Sequence, residues 1–536
     1  MSLIYWTSTR ACVITGQSVS FGRMPDKEKL GRLRQIIQEN IRVQKGGPKS
    51  IDYVDVSSAL ADIVTRQNHV IFGRRGCGKT LLLEAAERKV DGATRVVYIN
   101  CEDYKQHSFH NVLIEVLDRV FGKLEKNLPG WFGRKRRSRK LITQIRDRLS
   151  SLKETADEQQ TKIKEVSSSA TSSQTSFSVA PRSLQFGTSG VSAQRAAIEH
   201  EYQRYDSKIH RLNLLLPELK ERVRDFFDLS GEVKTVFIEL DDFYHLPQTM
   251  QPHVADNVHR LCKDVPFYFK IGTLRHASIL YADRGNQPTG AQERHDYQPI
   301  DVDFTLAQFT KTQAQLLQIL YSFGDKAGLS RGEIDGLFMG KGFDRLVWAS
   351  GGVPRDFLSL LLEALSQHPD DQPIGKDDIR QLSLVVFQRR IEELKADSEQ
   401  QDQDQLLRGI YAIRTFCADK TFNVFLVADR ILQEDNGVRE LLNWLLDYRI
   451  VHSMGSALTH KTLSGTFHAY MIDIRSYANM RKLVNRFTEI DIAARDSRER
   501  MRNAPVLDDK TLQELYRTAP PQPEIAILKV EADESG

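Results

Sequence analysis

Residues Gly73-Arg-Arg-Gly-Cys-Gly-Lys-Thr80 follow the apolar run His69-Val-Ile-Phe72 and precede Leu81-Leu-Leu-Glu-Ala-Ala-Glu-Arg88, a good helix former. The stretch fits G-x-x-x-x-G-K-[ST] with a strand before it and a helix after it, the context in which that pattern cradles phosphate. Its glycines let the backbone wrap closely, and the loop N–H groups and helix N-terminus attract negative charge. The reading places Gly73, Arg74, Arg75, Gly76, Cys77, Gly78, Lys79, Thr80 and Leu81 around a nucleotide, with Lys79 on the β- and γ-phosphates and Thr80 on Mg²⁺. It also constrains the fold, because open α/β sheets bind ligands at the carboxyl edge of parallel strands.

Further strands are legible at Arg95-Val-Val-Tyr-Ile-Asn100, Thr235-Val-Phe-Ile-Glu-Leu240 and Pro266-Phe-Tyr-Phe-Lys-Ile-Gly-Thr273. Strands alternating with helical segments predict an α/β fold with helices on both faces of a parallel sheet. The third strand runs into Asp241-Asp242. A P-loop enzyme needs a carboxylate there for Mg²⁺, which assigns Asp241 to the metal and Asp242 to the base that orients attacking water. Glu239, one pleat earlier on the same face, is an alternative base. Thr273 is either a contact to the γ-phosphate or water, or a plain strand-end threonine. Arg355, in Gly351-Gly-Val-Pro-Arg-Asp356 at the start of a helix, is either a γ-phosphate contact or a surface arginine.

About 130 residues separate the second and third strands, far more than a crossover needs. Residues at spacings of three and four (Ile142, Ile145, Leu149, Leu152, Ala156, Gln159, Ile163, Val166; then Ile198, Tyr202, Tyr205, Ile209, Leu212, Leu216, Leu219, Val223, Phe226) form two seams. The expectation is an inserted antiparallel, coiled-coil-like helical arm, with Pro217 kinking or splitting its second helix. The Ser-rich stretch 167–192 is expected to be a disordered tip. The seams either pack on the protein's own core or present an arm to a protein partner. Arg134-Lys-Arg-Arg-Ser-Arg-Lys140 at the base of the insertion reads as a solvated loop or a phosphate-backbone contact.

Past residue 305 the chain reads as helical to about Ala396. Leu406–Ala418, Val424–Gln433 and Val438–Leu446 then read as three short helices before a polar hairpin, the outline of a winged helix. The domain boundaries expected are an N-terminal extension 1–50; a nucleotide-binding core 51–305 holding the insertion 106–231; a helical lid 306–396; a winged helix 400–480; and a tail 481–536.

With 75 basic and 71 acidic residues the net charge is only +4, so any basic surface is local. Five scattered cysteines without C-x-x-C spacing point away from a disulfide framework or a zinc site and toward a reducing, cytoplasmic setting. No apolar run reaches the ~20 residues of a membrane span. Met1–Val13 lacks a basic n-region, so no signal peptide is expected, and Met24 is an alternative start.

In this order, Gly73–Thr80, Val236–Asp242, Thr273, Gly352-Val-Pro-Arg355 and the winged helix resemble AAA+ ATPases. The likeness is to the branch of origin-recognition and helicase-loading ATPases and to the related STAND signalling ATPases. It spans about 50–105 and 232–480. The resemblance implies Walker A at Lys79 and Thr80, Walker B at Asp241 and Asp242, sensor 1 at Thr273 and sensor 2 at Arg355. It implies a homo-oligomer with an arginine finger among Arg275, Arg284 and Arg294. The Asp-Asp pair departs from the Asp-Glu usual in helicase loaders. No Asn-Lys-x-Asp guanine motif is present, so ATP is favoured. Two functions follow: an ATP-hydrolysing switch on double-stranded DNA, or a STAND-like switch that recruits a protein partner without DNA.

Overall fold

A computed structural model describes residues 24–42, 45, 51–105, 109–126, 136–150, 206–283, 288–367, 372–397, 400–477, 487–521 and 523. The stretch 167–192, Trp131 and Phe132, Arg134 and Lys135, Arg284, and the seam positions between 152 and 205 lie outside the described residues.

The strands are β1 (His69–Phe72), β2 (Thr94–Asn100), β3 (Thr235–Asp241), β4 (Phe267–Thr273), a small β5–β6 hairpin (Tyr281–Asp283, Pro288–Gly290) and β7 (Gln298–Asp301). Five of them form a parallel sheet in the order β2-β3-β4-β1-β7. β3 is buried at all seven positions, which is why it reads as a continuous apolar run rather than an alternating one. One face of the sheet (Val70, Val236, Ile238, Phe269, Ile271) packs against helices Phe109–Lys126 and Gln251–Cys262. The other (Ile71, Ile300) packs against helices Ala59–Ile63 and Lys79–Lys89. The chain runs from β1 to the far edge at β2 and returns through β3 and β4 to β7 on the other side of β1. The order reverses at β1, so the P-loop that follows it opens at the switch point of the sheet.

The described part of the insertion packs inward. Ile142, Ile145 and Leu149 of the helix at 136–150, with Leu219, Val223 and Phe226 of helix Asp206–Ser230, join the core beside helix Phe109–Lys126. Helix Asp206–Ser230 continues through Pro217, which therefore does not split it. Its apolar face is buried there, and that burial outweighs the lost backbone hydrogen bond.

A second core holds helices Phe309–Ala327, Gly342–Ala349, Pro354–Gln367 and Lys376–Asp397. The N-terminal helix Lys27–Asn40 belongs to this core, burying Leu30, Leu33 and Ile37. The C-terminal module consists of helix Gln400–Lys420, β8 (Val424–Ala428), helices Asp429–Glu434 and Asn436–Asp447, β9 (Val451–Thr459) and β10 (Thr466–Ile472). Its three strands are antiparallel in the order β8-β10-β9. Val424–Gln433 is thus a strand followed by a short helix, not one helix. Val424-Phe-Leu-Val427 is buried at every position and pairs along β10, a tertiary contact that overrides the local pattern. Residues 487–521, expected as a tail, pack on this module. Leu426 N donates to Pro505 O and Leu507 N to Leu426 O, and Lys341 pairs with Asp491 at 2.6 Å.

Candidate nucleotide-binding site

The P-loop wraps one end of a cavity of about 330 Å³ lined by Arg75 through Leu81, by Asp242, Tyr244 and Arg355, and by Tyr53. Gly76 and Gly78 sit at φ +91° and +92°, where a side chain is strained. A Cβ on Gly76 would also lie 2.7 Å from Arg355 Cβ, so the loop and the helix at Pro354 meet only through a glycine. Arg355 N donates to Gly76 O at 3.3 Å. Lys79 Nζ donates to Gly73 O at 2.8 Å and Arg74 O at 3.4 Å, lying back along the loop over the place phosphate oxygens would fill. Gly73 and Arg74 are outside the cavity lining. The Arg74 guanidinium turns away to Asp303, at 2.6 and 2.8 Å, and to Gly351 O at 2.9 Å.

β3 delivers the carboxylates. Thr80 Oγ1 donates to Asp241 Oδ2 at 2.6 Å, Tyr98 OH donates to the same oxygen at 3.0 Å, and Asp242 N donates to Asp241 Oδ1 at 3.0 Å. Burial and the neighbouring Asp242 carboxylate push the Asp241 carboxyl up, against the hydrogen bond from Thr80 and the charge of Lys79. A hydroxyl and a buried carboxylate in contact are hard oxygen donors of the kind Mg²⁺ takes while keeping most of its waters. A divalent cation there would offset the cost of ionising Asp241. The residues present fit Mg²⁺ and a nucleotide phosphate. Gly272 on β4 is part of the fit, since a Cβ there would stand 2.7 Å from Asp241 Oδ1. Asp242 lines the cavity in a left-handed backbone conformation, φ +51°. Glu239 does not reach the cavity: it is sealed by Lys45 at 2.9 Å, and burial pushes its carboxyl up to about 7.

Arg355 lines the cavity, and its guanidinium makes no hydrogen bond or ion pair among the described residues. Burial first, and then the charge of Arg75, pull its guanidinium below the ordinary value. Two cations facing each other at a half-buried wall favour an anion between them. Thr273 is fully buried and its hydroxyl bonds Ser278 rather than lining the cavity. Arg275 is held by Glu293 at 2.9 Å and Asp301 at 2.6 Å, whereas Arg294 is exposed.

The C-terminal module grips this site from behind. Arg449 Nη1 donates to Arg75 O on the P-loop at 3.1 Å and to Asp356 Oδ1 at 2.7 Å. Arg475 donates to Asp356 Oδ2 at 3.3 Å and to Asp473 at 2.6 and 2.7 Å, and Asp473 holds His452 at 2.9 Å. Burial keeps His452 below its ordinary value and so neutral. Asp447 accepts from His276 N at 3.2 Å and Ala277 N at 2.7 Å, just past β4, and burial pushes its carboxyl up to about 7.

Reading the sequence singled out Asp241, Asp242, Lys79, Thr80 and Arg355, and the fold brings all five together. It missed Tyr98, Tyr244, Asp303 and the whole C-terminal network. Tyr98 follows from one signal, a polar group near the carboxyl end of a strand already read as part of the sheet, whereas Asp303 follows β7, which the sequence reading did not assign to the sheet. The network carries no local signal. Among the described residues no cluster of three His, Cys, Asp or Glu side chains forms a metal site, and no helix is long and apolar enough to cross a membrane. No protein-family model matches the chain, and no curated protein matches its sequence.

Proposed function

We propose that this chain is an ATP-binding, ATP-hydrolysing molecular switch of the AAA+ kind. The observation that carries the reading is the 2.6 Å contact of Thr80, on the wall of a cavity that also presents Lys79, Asp242 and Arg355, with the buried Asp241 behind it. Bound Mg²⁺ would polarise the phosphate oxygens. Thr80 and Asp241 hold the ion, Lys79 and Arg355 take up phosphate charge, and Asp242 orients and deprotonates water. Residues 306–396, with Arg355 at the start of one of their helices, act as a lid, and the C-terminal module is a winged helix docked on the lid and the P-loop. Turnover of the wild type against Lys79→Ala and Asp242→Asn tests this. Both variants are expected to fall at least ~100-fold, the scale of a lost general base or phosphate contact. Equal background rates in all three would refute hydrolysis.

A specific observation favours the partner-recruiting reading over a standing DNA reader. Helix Asn436–Asp447, the one a winged helix would lay in a DNA groove, has no exposed residue from Gly437 to Asp447, and it carries Glu440 and Asp447. Binding double-stranded DNA through it requires the module to undock. We therefore assign a nucleotide-gated release that exposes this helix to a protein partner or to DNA within a homo-oligomer, with Arg294 the arginine offered to a neighbouring copy. Duplex binding measured with and without ATP at ~50 and ~200 mM salt separates the two, because phosphate contacts weaken steeply with salt.

A further inference from the structure

We propose that Gln315 reads the base of the bound nucleotide and makes the cavity an adenine site; this rests on the nucleotide-binding reading above. Gln315 lies on helix Phe309–Ala327 and lines the cavity, yet only 5% of its surface is exposed. Its carboxamide makes no hydrogen bond among the described residues and is open to the cavity. A carboxamide offers two donors and an acceptor with two lone pairs, and burying it unmet carries a desolvation penalty. Among the described residues buried Asn111 Oδ1 is also unmet, but it lies away from the cavity. Buried Gln251 donates to Leu246 O at 2.7 Å and accepts from Ile279 N at 2.7 Å. Asn40, the other amide on the cavity wall, gives an N–H to Ile36 O at 2.8 Å.

The surroundings of Gln315 suit a flat heteroaromatic ring. Gln315, Ile319 and Phe323 are spaced by four, so they form one stripe of the helix, and all three line the cavity. Ile41, Ile51 and Leu358 supply further apolar wall. The P-loop fixes the phosphates at the other end, leaving this wall for the base. Adenine places an amino donor next to a ring-nitrogen acceptor, which a carboxamide meets with one acceptor and one donor. Guanine can also pair its O6 and N1–H with a carboxamide, but its 2-amino donor is then left without an acceptor against the apolar wall, where adenine presents only C2–H. A carboxylate reverses the preference: it accepts both guanine donors and faces the adenine N1 lone pair with negative charge.

The test is calorimetric binding of ADP and GDP, with Mg²⁺, to the full chain and to Gln315→Glu and Gln315→Met. Far-UV circular dichroism and melting of the nucleotide-free proteins check that the variants fold. The wild type is expected to prefer ADP. Gln315→Glu should lose ADP affinity about tenfold and raise the GDP-to-ADP affinity ratio about 100-fold, the scale of one mismatched buried hydrogen-bonding pair. N6,N6-dimethyl-ADP, which lacks the amino donor, should bind the wild type more weakly than ADP but bind Gln315→Met no differently from ADP. A folded Gln315→Glu with an unchanged ratio, or a wild type indifferent to the N6 methyls, overturns the assignment of Gln315. A wild type that binds neither ADP nor GDP overturns the nucleotide site itself.

Discussion

Replacing Asp356 by alanine is expected to loosen the C-terminal module from the P-loop. Arg74, Arg449 and Arg475 are balanced by Asp303, Asp356 and Asp473, and Asp356 alone bridges two of the arginines. Arg449 is 5% exposed and Arg475 2%, so neither can recover its lost partner from bulk water. Removing one partner of a buried ion pair costs about 3–5 kcal/mol, and although Arg475 keeps Asp473, Arg449 loses the carboxylate that bridges it to Arg475. At about 1.4 kcal/mol per factor of ten, the docking equilibrium should shift about 10²- to 4 × 10³-fold. The assay is hydrogen exchange of peptides covering helix Asn436–Asp447 and β9, whose protection includes the docked state. Asp356→Ala should raise their exchange by that factor while helix Gln251–Cys262 on the far side of the sheet stays protected. Because the lost acid leaves an excess of positive charge, Asp356→Ala/Arg449→Ala should be less harmful than the sum of its single variants. If exchange at 436–447 is unchanged in folded Asp356→Ala, or the two substitutions simply add, the network does not hold the module.

Three other perturbations follow from the geometry. Gly272→Ala sets a methyl 2.7 Å from Asp241 Oδ1, so the carboxylate must move; the Mg²⁺ concentration needed for half-maximal nucleotide binding should rise about tenfold or more while the fold persists, and an unchanged Mg²⁺ titration would refute the contact. Asp447 has a folded pKa raised to about 7, above its unfolded value of ~3.9, so the folded state binds the extra proton. Its contribution is full below ~pH 4 and is lost as pH rises toward 7, so the urea midpoint should fall from about pH 4 to 7 and level off above that, and Asp447→Asn should flatten that fall. Excising 141–228 strips Ile142, Ile145, Leu149, Leu219, Val223 and Phe226 from the core, a loss on the order of 10 kcal/mol, so the product should be insoluble or molten by near-UV circular dichroism.

The strands around the phosphate loop were legible because each is a local signal: a short apolar run, a glycine-rich turn, an acid at a strand end. β8 was misread because Val424–Val427 is too short to show a period, and only its pairing with β10 makes it a strand. The seams of the insertion were legible as helices, but their spacing does not say what they face. The structure puts the described part of both seams on the domain's own core. Arg74 sits in the motif yet turns to Asp303, 229 residues later, a pairing no local pattern encodes.

The sequence by itself determined that Gly73–Thr80 is a glycine-rich loop between a strand and a helix of a parallel sheet and that Asp241 and Asp242 stand at the carboxyl end of another of its strands. Those features depend on residues a few positions apart, whose backbone preferences and periodicity act locally. Tertiary structure alone decided that Thr80 touches Asp241, that Gln315 faces the cavity with its amide unmet, and that three arginines and three aspartates lock the C-terminal module to the loop. Burial sets the strength of each of those contacts, and burial comes from segments far apart in the chain meeting and excluding water.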